Sequence, residues 1–223
     1  MPQSIEPIRL TLSTPPAKLP VTMDEVRAHL RIDATDIDEE APMAADLRAA
    51  TNQAELYLSQ SLITQTWTLF RDSWPTTARS KGDAWWDGVR QGAISSLFSG
   101  GREMELPKWP LISVTHIKTY DDDDTATTFA ASKYFVDTTS RPGRIVLREA
   151  AAAPAPTRVA NGVEVQYVAG YGPDYADVPE DIRQGILRMI AYLYENRGEC
   201  SEDQAMDKSG AAVLWARHRI LRV

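Results

Sequence analysis

Residue types that perform chemistry are present in this chain, but their spacing withholds the chemistry. A metal site needs ligands gathered on one face of one element, such as two histidines four apart with a carboxylate nearby. His29, His116 and His218 fall instead on three different predicted elements. Cys200 has no neighbours resembling a nucleophile motif, which leaves it as an ordinary loop or core thiol. Gly100-Gly101 and Gly170-Tyr-Gly172 lack the spacing of a phosphate loop and its strand–glycine–helix setting with Lys-Ser/Thr, so they read as turn glycines. Asp121 to Asp124 lack the spaced ligands and central glycine of a calcium loop. Their mutual repulsion keeps them in water at a hairpin tip. The expectation is a protein that is not an enzyme and holds no metal and no cofactor.

The elements that would position these residues follow from periodicity. The first 20 residues are proline-rich without a clear repeat and read as an extended arm. Thr22 and Glu25 fit a capping box, with Val21 and Val26 at the staple positions, opening a short helix to about Ile32. An acidic loop from Asp33 leads to a helix whose stripe is Met43, Leu47, Ala50, Ala54, Tyr57 and Leu58. From Thr66 the period changes to two, and strands are predicted at Trp67–Arg71, Glu103–Leu106, Ser113–Tyr120, Tyr134–Val136, Arg144–Leu147 and Val163–Val168. Residues 76–103 are largely irregular. A third helix starts near Pro179 and buries Ile182, Ile186, Met189, Ile190 and Leu193, with Gly198 as its cap. Residues 199–208 read as a polar connection, and a last short helix runs from about Ser209 to Arg219. The predicted class is α+β, a small antiparallel bundle of about four helices with a central β-rich insert. Its segments are an arm (1–20), a helical hairpin (21–65), the β insert (66–172), a third bundle helix (173–198) and a C-terminal helix with tail (199–223).

Composition narrows the function. The 223 residues are 43% hydrophobic and 25% charged, with a formal net charge of −7. No run of about 18 apolar residues would span a membrane, and the N-terminus lacks the basic-then-apolar order of a secretion signal. A lone cysteine excludes an internal disulfide and suits a reducing compartment, so a soluble cytosolic protein is expected. The acidic balance argues against a general phosphate-binding surface. Two features stand out against that background. Trp67 and Trp109 read as β core, whereas Trp85 and Trp86 sit in a polar irregular stretch and fit an interface as well as a core. The C-terminus interleaves Trp215, Ile220 and Leu221 with Arg217, His218, Arg219 and Arg222, and holds no acid in its last ten residues. That composition suits an exposed docking tail, and deletion of residues 214–223 is expected to leave the fold intact.

The order of elements resembles the phage head-to-tail connector (adaptor) family. Leu19-Pro-Val-Thr-Met-Asp-Glu-Val-Arg-Ala-His-Leu-Arg-Ile-Asp33 is similar to its opening capped helix. Leu106-Pro-Lys-Trp-Pro-Leu-Ile-Ser-Val114 resembles its strand entry, and Val165-Gln-Tyr-Val-Ala-Gly-Tyr-Gly172 a later β landmark. Val178-Pro-Glu-Asp-Ile-Arg-Gln-Gly-Ile186 with Tyr194-Glu-Asn-Arg197 resembles the closing helix. Trp85-Trp-Asp-Gly-Val-Arg90 is similar to adaptors of gene transfer agents, the phage-derived particles that package host DNA. The resemblance implies a ring of about twelve copies at the neck of a phage-like particle, made in the bacterial cytoplasm. Its expected partners are the portal protein, the next neck or tail-side connector protein and copies of itself. Double-stranded DNA would pass through without specific binding, and no membrane is involved. Portal docking falls to the tail, and neighbour contacts to Trp85 and Trp86. The alternative is a nucleic-acid-binding packaging accessory protein, for which the basic tail is the one candidate surface.

Overall fold

The computed structural model describes residues 9–33, 36, 38–75, 85–86, 89–90, 101–197 and 201–219. Helices and antiparallel strands segregate into two units, so the chain is α+β. One unit comprises residues 16–65 and 170–223, the other 1–15 and 66–169.

The helical unit begins with the capping box. The Glu25 amide donates to Thr22 Oγ1 at 3.2 Å, and the Thr22 amide donates to the Glu25 carboxylate at 2.8 Å. Helix α1 (Met23–Leu30) then buries Val26 and ends where Arg31 turns left-handed. Helix α2 (Glu40–Leu58) buries Met43, Leu47, Ala50, Ala54 and Leu58, the predicted stripe, with Tyr57 half-buried beside it. Helix α3 (Glu180–Glu195) carries acids in its first turn and buries Ile182, Ile186, Met189 and Ile190. It packs against all the other described helices of the unit. The stretch after it is not only a polar connection. Ser201 accepts a bond from the Gln204 amide and opens helix α4 (Glu202–Lys208), which buries Ala205 and Met206. Gly210, left-handed, leads into helix α5 (Ala211–Ala216). Among the described residues no helix is long and apolar enough to cross a membrane.

In the β unit the proline-rich arm does not stay free. Arg9–Thr14 forms strand β1, paired antiparallel with β2 (Gln65–Arg71). Alternating side chains and a ladder of backbone partners outweigh the prolines that flank the strand. β3 (Trp85–Trp86) and β4 (Val89–Arg90) form a two-residue ladder of their own. β5 (Glu103–Glu105), β6 (Leu111–Tyr120), β7 (Ala126–Thr128), β8 (Tyr134–Asp137), β9 (Arg144–Leu147) and β10 (Val163–Ala169) follow. They arrange as a five-stranded sheet β1-β2-β10-β6-β7 and a three-stranded sheet β5-β9-β8. Val163, Val165, Tyr167 and Ala169 of β10 alternate inward and join Leu69, Trp74, Leu106, Ile117 and Ile145 in one core. Trp109 is buried as well, and Trp67 lies half-covered against that core.

The helical unit has its own keystone in Trp215, which is 0% exposed. The indole N–H donates to the Ile182 carbonyl of α3 at 3.1 Å, and the ring lies 6.1 Å from the Tyr57 ring of α2. A methyl group placed on Gly185 would meet Trp215 Nε1 at 2.2 Å, so only glycine lets the ring approach α3. Trp215→Ala should therefore cost about 3–5 kcal/mol, and Gly185→Ala about 1–3 kcal/mol by overpacking. Val213, 70% exposed on the same helix, should tolerate serine within about 0.5 kcal/mol. Denaturant midpoints of the three variants check this ordering.

Candidate assembly surfaces

The structure divides the expected docking tail. Trp215 is core rather than an exposed anchor, because its large apolar ring finds a slot against Gly185 and a carbonyl for its N–H. Deleting residues 214–223 would remove that ring, so the truncation cannot leave the fold intact. His218 is also tied down: its carbonyl accepts from Gln60 Nε2 at 2.8 Å, and its Nε2 lies 3.7 Å from the Asp181 carboxylate. Arg217, 68% exposed, reaches the same carboxylate at 3.6 Å, and the Arg219 guanidinium sits 5.1 Å over the Tyr57 ring. Exposed ion pairs of this kind contribute about 0–1 kcal/mol. Arg217 can thus exchange Asp181 for another anion at little cost. Ile220, Leu221 and Arg222 lie outside the described residues. For Trp85 and Trp86 the described backbone is a strand paired with Val89 and Arg90, and their side chains lie outside the description.

The residues that could carry chemistry stay apart. No group of three His, Cys, Asp or Glu that could hold a metal occurs among the described residues. The Asp121 to Asp124 turn satisfies itself: Asp121 Oδ1 accepts from the amides of Asp123 (3.1 Å) and Thr125 (2.7 Å). Asp124 pairs with Arg158 at 3.4 Å. Gly170 adopts a φ of 144° and lies against the backbone of Ile63 and Thr64. It serves the chain path, not a ligand.

One polar constellation was not anticipated. Glu164 of β10 stands opposite Lys118 of β6, between two further side chains on the same sheet face. Its carboxylate meets His116 Nε2 at 2.8 Å, accepts from Tyr120 Oη at 2.5 Å and lies 3.7 Å from Lys118 Nζ. Burial pushes the Glu164 carboxyl up, but the bonds from Tyr120 and His116 and the Lys118 charge outweigh it, leaving it below the ordinary glutamate value. The bond to Glu164, together with burial, raises the Tyr120 phenol. The sequence signal was there: His116, Lys118 and Tyr120 alternate along one strand face, and a lone acid interrupts the apolar run of β10. The arrangement is a cross-strand clamp on one face of the sheet.

Solved structures with the same architecture come from gene transfer agent particles. A chain in the virion of a native gene transfer agent particle matches with a TM-score of 0.72 and 24% identity, covering 96% of both chains. A chain in the neck of an empty particle, computed with C6 symmetry, matches with a TM-score of 0.72 and 23% identity over 96% of this chain and 97% of that one. A third, from the neck of a native particle computed with C12 symmetry, gives 0.65 and 26% identity over 97% of each. No protein-family sequence model and no curated protein matches the chain.

Glu164→Gln should destabilise the fold by about 1–3 kcal/mol at neutral pH. Because the folded carboxyl lies below its ordinary value of 4.5, its contribution is present above that value and lost as pH falls through the folded one. The gap between wild type and variant should therefore close on acidification, as urea midpoints from pH 7 down to pH 3 would reveal. A gap that stays constant over that range would remove the clamp.

Proposed function

We propose that this chain is a structural head–tail adaptor, a subunit of a ring between the portal and the tail-side neck proteins of a gene-transfer-agent-like particle. The observation that carries the reading is end-to-end correspondence with chains from solved gene transfer agent necks, one of them computed with C12 symmetry. Twelve copies around a DNA passage suit the charge. Each copy contributes −7, and a ring multiplies that field, so DNA would be repelled from the wall and slide rather than bind. The working location is the assembled particle, after synthesis in the bacterial cytoplasm. No catalytic step is part of this role.

Portal docking is assigned to the segment after the Trp215 keystone. Arg217 and Arg219 follow directly on a helix that is itself core-anchored, and Ile220, Leu221, Arg222 and Val223 continue beyond them in sequence. Paired arginines and aliphatic residues suit an acidic, partly apolar groove on the portal. Trp85 and Trp86 are assigned to the neighbouring neck protein or the adjacent copy.

Removal of residues 220–223 should abolish binding to purified portal while leaving the thermal midpoint unchanged. Removal of 214–223 should lower that midpoint by many degrees. Unchanged portal affinity in the shorter truncation would end the tail assignment. Trp85→Ala with Trp86→Ala should reduce the fraction of particles with complete necks in electron micrographs, without loss of cooperative unfolding. Normal necks in that double variant would leave both rings without an assembly role.

A further inference from the structure

We infer that neighbouring copies join edge to edge through the five-stranded sheet, β1 of one copy pairing in parallel with β7 of the next; this rests on the ring reading above. Among the described residues β1 and β7 each have a single strand neighbour, so each leaves one row of backbone donors and acceptors unpaired. Charge and proline are absent from most of both edges, although β7 is only three residues long and β1 has a register shift between Leu12 and Thr14. Leu10 to Thr14 and Ala126 to Thr128 hold no charge and no proline, and both strands are exposed apart from a half-buried Leu10. Leu12, on the same strand face as the core-packed Leu10, is 40% exposed. It is an apolar position that a neighbouring strand would cover.

Direction and charge select the occupant. β1 runs antiparallel to β2, β10 to β6, and β6 to β7. The Asn161 amide, just before β10, donates to Asp72, just after β2, at 2.9 Å, so those two strands are antiparallel as well. After four reversals β7 points the same way as β1. A ring rotation therefore brings the next copy's β1 alongside β7 in parallel, with Arg9 at the end where Asp121 to Asp124 turn. The Arg9 side chain is 43% exposed and bonds Asp72 and Asn161 through Nη1. A guanidinium has five donors in all, enough to reach an acidic turn across the interface as well. Because the two edges are different surfaces, their pairing is heterologous, the kind of contact that makes a ring where the rotation between copies closes. Pairing of β1 with β1 would stop at a dimer.

Cysteines at Thr11 and Ala126, which lie on the same face of the sheet, test this directly. Parallel neighbours about 4.8 Å apart fall within the span of a disulfide. Particles carrying Thr11→Cys and Ala126→Cys in a Cys200→Ser background are purified, their necks imaged, and the chain oxidised and run on denaturing gels. The expected result is a ladder of covalent multimers ending at the copy number of the ring, with each single-cysteine variant remaining monomeric. Rings at the neck without a ladder, or dimers from Thr11→Cys alone, overturn the edge pairing and leave the ring reading standing. Necks that lack the chain overturn both. As a second measurement, Thr11→Lys with Ala126→Lys should lower the yield of rings at least tenfold, and Thr11→Lys with Ala126→Glu should restore it. Wild-type yield from the lysine pair overturns the proposal.

Discussion

The helical unit depends on one contact, the Trp215 ring lying against Gly185 with its N–H on the Ile182 carbonyl. A carbonyl four residues ahead of Ile186 would ordinarily serve only the helix, yet here it also satisfies a buried indole. The arrangement needs a glycine on α3, an aromatic on α5 and Tyr57 on α2 to close the side of the slot. It draws the last described helix into the same core as the first. The chain after Trp215 therefore leaves from a fixed point, and a segment presented that way loses less freedom on docking than a free tail would.

The β unit is held by a different device. Polar side chains on the solvent-facing side of the sheet are linked across strands, with Glu164 joining three residues of β6 and Arg144 of β9 bonding Asp137 of β8 at 2.9 Å and Glu103 of β5 at 3.0 Å. The bonds from Thr139 and Arg144 hold Asp137 well below the usual carboxylate range. These links fix register in the middle of each sheet, where slippage by one residue would turn every core side chain outward. The outer strand β7 has no charged side chain, and β1 has one, Arg9 at its start, which bonds Asp72 just after β2 at 2.7 Å.

Much of this was legible in the sequence wherever one local rule governed. Thr22 with Glu25 named the start of α1, the steps of three and four named the stripe of α2, and the alternation of β6 and β10 named the central strands. The parts that were not legible are those where a partner distant in sequence decides. Arg9–Thr14 becomes a strand only because Gln65–Arg71 offers it a ladder, and the prolines around it hid that. Helix α4 has just Ala205 and Met206 to bury, too few apolar residues to stand out among seven. Composition does not place Trp215, because Trp, Arg and Leu have the same composition whether the indole faces in or out. The decisive sign was spacing: Ala211 and Trp215, four apart, share a face, while Val213 and Arg217 do not.

That division changes where the energy of the proposed docking can come from. Arg217 already has Asp181 and Arg219 already has the Tyr57 ring, so their transfer to an acidic partner exchanges one modest interaction for another. Such exchange steers approach and fixes orientation more than it adds affinity. Burial of Ile220 and Leu221 is worth more, about 1.5–3 kcal/mol for each side chain taken out of water. In a closed ring, contacts this small suffice, because once one subunit is seated the others bind at a high effective concentration. Under the proposed adaptor role a short tail per copy is enough, provided its core holds every tail at the same place.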